Sequence, residues 1–488
     1  MALRQVALSG ARWILAARVG LQLVTWPITI VVMRLLDPGD YGVFAIALLV
    51  SGFITLFSEL GLGVALVQAP ELNELQTRMA VTLVLTLNTL LALVIVALAP
   101  LMAIAFDAPK VMPVMYVLTL ELFISATATV PLALLERGLK FKQVSLGHLC
   151  GGVSGSMVTL GAALMNAGVW ALVAGALTGA LIRSVIWMIF HGRIVRPSRL
   201  HLNTIRPLVR VSSHALATRA LWYWSGQADQ LVLGRLLHVS ALGVYNVSAQ
   251  LAMLPAGKVM EAVNRIAFPI LSRLQSDAQA LQRTHRTGAS LLALYGFSVC
   301  WGLASVAPEL VGVVLGEKWR HATLPLAMLS MVAPLRMLGA FNNSVTTAIG
   351  MPQAATWEQA LACVMLPSAI GVGAYLDGLQ GAALAWIVAY PPIFLFSTWL
   401  TARAMHTSQL SMLRAVALPM AAGLCMAAAV WCVRAVIGDH TPEILRLAAG
   451  IVVGAITYLG VLWMIARPLL LDAWMLGRDL LRPQRHTH

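Results

Sequence analysis

The sequence predicts an all-α integral membrane protein: about 14 transmembrane helices, in two six-helix lobes plus two C-terminal helices. Three observations lead there. Only 11% of the residues are charged and 59% are hydrophobic, with a mean hydropathy of +0.84; a soluble chain carries roughly 25% charged residues. The apolar excess runs the whole length, and no connection is long enough to fold as a soluble domain. The connections alternate between Arg-rich and Arg-poor, the pattern that the positive-inside rule imposes on a multi-span chain.

A helix needs about 20 apolar residues to cross the hydrocarbon layer. Runs of that kind, bounded by charge, Pro or Gly, lie near 12–34, 42–66, 79–105, 112–135, 146–166, 169–190, 208–236, 242–270, 288–315, 322–348, 355–375, 381–404, 412–437 and 444–466. They are long and continuous, without the alternation of barrel strands, so they are read as helices. No small-residue cleavage site follows the first run, which is expected to be a retained span rather than a removed signal. The longest connections, 191–207 and 271–287, are rich in Arg. In the tail, 467–488, Leu, Trp and Met alternate with Asp472, Arg478 and Asp479 at near-helical spacing. That pattern suits either a short interfacial helix before an irregular end or a frayed tail. The expected organisation is a first lobe over 1–207, including its basic linker, and a second over 208–405. Two added spans over 406–466 and the tail follow.

Charge sets the orientation. With the N-terminus in the cytoplasm, 20 of the 33 Arg and Lys residues fall on cytoplasmic segments. Seven fall outside: Arg34, Lys110, Arg235, Lys318, Arg320, Arg434 and Arg446. An inner-membrane protein with both termini cytoplasmic follows. The net charge of +14 is then accounted for without nucleic acid, for which no basic, aromatic-interleaved stretch exists. Cys150, Cys300, Cys363, Cys425 and Cys432 lie in apolar segments with no metal-ligand spacing, and are expected to be small buried hydrophobes.

An internal repeat is visible. Residues 34–45 read RLLDPGDYGVFA after the first run; residues 235–246 read RLLHVSALGVYN after the seventh. Arg, Leu, Leu, Gly and Val coincide without a gap, and Phe44 meets Tyr245. Duplication of this kind usually builds two lobes around a central site in transporters.

No enzyme motif is present: no P-loop, GxGxxG after a strand, GxSxG or HExxH. No cofactor is implied. What remains is charge at bilayer depth, where each group costs at least ~2.5–3.5 kcal/mol unless it has a partner, a water-filled cavity or a task. The cations are Arg18, Arg183, Arg219, Lys258, Arg265 and Arg336; the acids are Glu59, Glu121, Asp229 and Glu261, with Glu358 near a span end. Lys258, Glu261 and Arg265 share one helical face, one turn beyond Pro255. Arg183 sits near a cytoplasmic end and is expected to snorkel. Arg18, Arg219, Lys258, Arg265 and Arg336 are the candidate substrate-binding cations, suited to a pyrophosphate that Arg engages bidentately. Glu59, Asp229 and Glu261 are candidates for ion coupling or for tuning that charge, and Glu59 can equally be an ion-pair partner. Trp222, Tyr223 and Trp224 suit either sugar stacking or interface anchoring.

The stretches RLLDPGDYGVFA, FSELGLGVALVQ, LLERGLKFKQV, AGVWALVAG, QADQLVLGRLL, LGVYNVSAQLAMLP and AFPILSRLQSD resemble the polysaccharide-transporter (Wzx-type) branch of the multidrug/oligosaccharidyl-lipid/polysaccharide exporter superfamily, and most closely its exopolysaccharide flippases. The resemblance spans about residues 10–405 and rests on the ordered series, not on one motif. It implies a V-shaped pair of lobes around a central cavity. It implies transfer of an undecaprenyl-pyrophosphate-linked repeat unit from the cytoplasmic to the periplasmic leaflet, driven by an ion gradient without ATP, for exopolysaccharide or lipopolysaccharide synthesis. The implied partners are that lipid-linked oligosaccharide, membrane lipids and other polysaccharide-assembly proteins.

A drug/cation antiporter of the same superfamily is the main alternative, but its cavity should be acidic or aromatic. A membrane polymerase or ligase would need a larger periplasmic loop than this sequence contains.

Overall fold

The computed structural model describes residues 2–58, 63, 66–67, 73–192, 197–198, 223, 226–275, 277–438, 440–465 and 467; within these, the side chains of 2–12, 14–16, 19, 261–262 and 264–266 are outside the description. Glu59, Arg219 and the tail beyond 467 therefore lie outside the described residues, as does the expected lobe boundary at 207–208.

Among the described residues the architecture is helical. The helices are α1 (Ala2–Leu35), α2 (Pro38–Ser58), α3 (Glu74–Ala105), α4 (Val111–Arg137), α5 (Phe141–Leu164), α6 (Val169–His191), α7 (Val239–Arg273), α8 (Ala278–Ser305), α9 (Thr323–Ala348), α10 (Pro352–Ala404), α11 (Gln409–Ile437) and α12 (Glu443–Ile465). Nine helical stretches among the described residues are long and apolar enough to cross a membrane. Their outer faces carry large apolar side chains that water would not tolerate, among them Leu93, Ile104, Val388 and Met464. Four of the five cysteines belong to such outer faces, and only Cys300 is buried, so the expectation of five buried thiols is corrected. Short apolar side chains are equally at home against lipid.

Three predicted runs differ from the structure in form. Runs 355–375 and 381–404 are both contained in α10, whose 53 residues would extend about 80 Å if straight. Asp377 and Gly378 break it; Gly378 adopts φ +54, which glycine reaches without a Cβ clash. The two arms fold back so closely that a Cβ on Gly373 would strike the Gly381 carbonyl, and the reverse. The predicted run 288–315 ends earlier as a regular helix. Past Ser305, Pro308 starts a separate short turn, followed by a π-helical turn, Val311–Leu315, and a 3₁₀ segment, Glu317–Ala322.

The chain divides into two compact units, Met1–Val244 and Tyr245–His488. In the first, α5 and α6 pack backbone to backbone. Gly151 and Gly155 face the carbonyls of Gly179 and Gly175, and Gly147 faces the Trp187 indole. This is the small-residue spacing that lets membrane helices approach without a hydrophobic driving force. In the second, α8 packs on α9 and α11, α9 on α10, and α11 on α12. Gly450 and Gly454 of α12 lie against Val430 of α11.

The repeated segments have a structural counterpart within the first unit. Pro38 opens α2 and Val239 opens α7. A Cβ on Gly42 would collide with the Val239 carbonyl, and a Cβ on Gly243 with the Pro38 carbonyl. Pro38 corresponds to Val239 and Gly42 to Gly243 in the repeat alignment. The contact is thus reciprocal, as a local two-fold axis produces. Asp40, in the same turn, accepts a hydrogen bond from Val169 N (3.0 Å) and so caps the start of α6.

Candidate functional site

The site builds from the middle of α9. Arg336 lies 13 residues from the first residue of that helix, roughly 20 Å along its axis. Its guanidinium carbon stands 4.6 Å from the centroid of the Trp386 ring on α10, and Nη1 donates to Met253 Sδ on α7 at 3.1 Å. A cation over an indole face gains about 0.5–2 kcal/mol depending on desolvation. No carboxylate pairs with Arg336 among the described residues. Of its five N–H donors, one is engaged at Met253 Sδ.

The aromatic shelf beneath it is fixed from below. Trp386 Nε1 donates to Tyr245 Oη at 2.8 Å, with Tyr245 only 1% exposed. Trp386 and Tyr390, one helical turn apart, stack with centroids 6.2 Å apart. Tyr245 is the repeat residue matched to Phe44, so its hydroxyl distinguishes the second copy from the first.

Beside the shelf is a carboxyl that sequence reasoning placed at a span end and left without a role. Glu358 is 6% exposed. The space for it comes from Gly339 on α9: a Cβ there would stand 3.0 Å from Tyr390 Oη and 3.3 Å from Glu358 Oε1. Ser397 and Asn343 also neighbour the carboxyl, while Glu358 Oε2 has no hydrogen-bond partner among the described residues. A buried carboxyl ringed by hydroxyl, amide and phenol groups is the composition of a site that takes up a proton or a small cation. Its legible signal was an acid inside an apolar helix; its burial depends on Gly339 of a different helix.

The other predicted residues belong to several helices of the two units. Arg18 is exposed on α1 and, with Arg183, lies in electrostatic range of His148 on α5. Arg183 is half-buried; its guanidinium carbon is 5.8 Å from the Trp187 ring centroid, in range of Glu121. Lys258 is exposed on α7. Glu261 and Arg265 belong to the same helix, but their side chains lie outside the described residues. Asp229 is half-buried, its Oδ1 accepting from Gln230 N at 2.8 Å. Of the aromatic trio, Tyr223 donates to the Leu49 carbonyl at 3.0 Å and packs on Phe53, which makes it an anchor onto α2. Trp222 and Trp224 lie outside the described residues.

Among solved structures, the fold is similar to the lipid II flippase MurJ in an inward closed conformation, with a TM-score of 0.72 at 10% identity, covering 93% of this chain and all of that one. It is also similar to an inward-facing multidrug resistance MATE family transporter, with a TM-score of 0.62 at 14% identity, covering 79% of this chain and 96% of that one. Sequence relatives run at similar breadth. The succinoglycan biosynthesis transport protein ExoT of Rhizobium meliloti (strain 1021) is 26% identical, with 92% of this chain and 91% of that one covered. The lipopolysaccharide biosynthesis protein WzxC of Escherichia coli (strain K12) is 24% identical, with 80% and 79% covered. Residues 31–324, more than half of the chain, match the family described as polysaccharide biosynthesis protein. The all-helical fold, the ordered motifs and this match agree, and the chain belongs to the polysaccharide biosynthesis protein family.

Proposed function

We propose that the chain is a flippase that moves an undecaprenyl-pyrophosphate-linked oligosaccharide repeat unit from the cytoplasmic to the periplasmic leaflet, for exopolysaccharide or lipopolysaccharide synthesis. Arg336 carries the reading beyond the fold: a cation in the middle of a membrane helix, held on an aromatic face and open to an anion. A pyrophosphate engages such a group through charge-assisted hydrogen bonds, and the neighbouring indole suits a sugar face. Arg18, Arg219, Lys258 and Arg265 are proposed to share in holding the anion along its path. Glu59, Asp229 and Glu261 are proposed to tune that charge or to couple transport to an ion gradient, and Glu358 joins them as a coupling candidate. The reading needs no catalytic group.

The test is direct. Proteoliposomes holding the purified chain and a labelled lipid-linked oligosaccharide should expose that lipid to an enzyme added outside, faster than protein-free vesicles do. No acceleration, together with counterflow of cationic drugs, would place the chain with the antiporters instead.

The proposed orientation has its own expected outcome. In a cysteine-free background, Ser240→Cys should react with an impermeant thiol reagent from the periplasm and Ser198→Cys only after the membrane is opened. The reverse pattern would invert the topology.

A further inference from the structure

At one end of the second unit, the start of α8 and the turn joining α10 to α11 enclose a polar cavity of about 370 Å³. Its chemistry is one-sided. Arg283 and Arg286 stand three residues apart on α8, both exposed, and neither has a partner among the described residues. Such spacing places them on one helical face. Gln279 adds an amide, and Thr407 and Ser411 add hydroxyls from the opposite wall. The nearby acid is already engaged: Asp277 Oδ1 accepts from the Gln279 and Ala280 amides at 3.1 and 3.0 Å, capping α8.

The far wall is built, not loose. Gln282 Nε2 donates to the Met405 carbonyl at 2.9 Å, just before His406, which adopts φ +52 without being glycine. A left-handed histidine is strained unless its surroundings hold it. The Gln282 amide ties that turn to α8 and so sets Thr407 across from the two arginines. Met405 and Met412 line the cavity and give it an apolar side.

We infer that this cavity binds the phosphate of an anionic membrane phospholipid at the cytoplasmic surface. Two guanidinium groups and three uncharged donors match a phosphodiester, which offers charge and several acceptor oxygens. The cavity lies where helices end, which in the proposed orientation is the cytoplasmic surface, and Met405 and Met412 would adjoin the glycerol of the bound lipid. Basic pockets on the cytoplasmic side of helix bundles are a recurring form of lipid recognition. A resident phospholipid suits this place better than the transported one, because the cavity is open to the surface and its described lining holds no Trp, Tyr or Phe for a sugar, His285 being buried and bonded to Asn342. The inference depends on the orientation proposed above, not on the transport reading.

The full chain, reconstituted in phosphatidylcholine nanodiscs containing a minor fraction of phosphatidylglycerol, provides the measurement. After detergent extraction and washing, the phosphatidylglycerol retained per protein is counted by mass spectrometry. Arg283→Gln/Arg286→Gln should retain about ten-fold less than the wild type, and the Lys/Lys variant an intermediate amount. Arg273→Gln/Arg414→Gln, which removes two arginines at the same membrane side but outside the cavity, should retain the wild-type amount. Gel filtration establishes that each variant is folded. Equal retention by the Gln/Gln variant and the wild type would overturn the inference. So would displacement of the lipid by inorganic phosphate, which marks a free-phosphate site, or by an equimolar undecaprenyl diphosphate, which marks a substrate site.

Discussion

Gly42→Ala and Gly243→Ala should each lower polysaccharide export by about ten-fold or more, with the protein still inserted at normal levels. The reason is steric and local. Each added methyl would meet a backbone carbonyl, that of Val239 or of Pro38, and a carbonyl at the start of a helix cannot rotate away as a side-chain tip can. Overpacking of this kind costs about 1–3 kcal/mol when the surroundings can adjust. In the proposed transport cycle that cost falls on states in which the two helix starts touch, and so shifts the balance between transport states.

Reciprocity makes the prediction sharp. The two substitutions act on one seam, so the double variant should be little worse than either single one, because the first methyl has already opened it. Gly257→Ala and Gly161→Ala are the comparison, since beyond the helix's own backbone no described atom lies within 4 Å of a Cβ at either site; export should stay near the wild-type rate. Wild-type export by Gly42→Ala and Gly243→Ala would show that the contact is not needed in the cycle.

The same glycines show what a sequence can and cannot reveal. The repeat was legible because Gly42 and Gly243 recur with the flanking Arg, Leu and Val at one offset. That the copies touch one another was not, since it depends on how α2 and α7 are brought together. Helix positions were legible because the bilayer imposes length and apolarity on each run. The fold-back of α10 was marked by Asp377-Gly378, between two runs, and the structure adds only how closely Gly373 and Gly381 approach. The early end of α8 turned on Pro308 and Gly316, which apolarity masked; Gly316 takes φ +90. For the site, Arg336 could be singled out because a central arginine lacking an acid in its own helix is costly in lipid. Its actual support, Trp386 on α10 and Met253 on α7, comes from helices 50 and 83 residues away. Glu358 was underrated for the same reason: its burial is made by Gly339, a residue whose small size carries no signal by itself.

Arg336→Ala should abolish measurable export, and Arg336→Lys should restore a part of it. Alanine removes the charge, the planar donor fork and the partner of Trp386 in one step. A charge-assisted hydrogen bond contributes about 1.5–3 kcal/mol, so losing the proposed bidentate pair to a phosphate group would reduce occupancy by roughly a hundred-fold or more. Lysine returns a cation that can still lie over the indole, but as a point charge without the fork.

A purely structural role for Arg336 predicts something different. Because Arg336 has no carboxylate partner among the described residues, its removal breaks no described ion pair. The helix pair α9–α10 should then keep its thermal stability within about 1–2 kcal/mol, the cation–π contribution alone. Trp386→Phe separates the contributions further. It keeps an aromatic face under the guanidinium and loses the hydrogen bond to Tyr245, so export should fall only several-fold. The measurements are export in cells lacking the native gene, membrane protein level, and melting temperature in detergent. Arg336→Ala with normal export, or with a collapse in melting temperature that Arg336→Lys shares, would remove Arg336 from the substrate path.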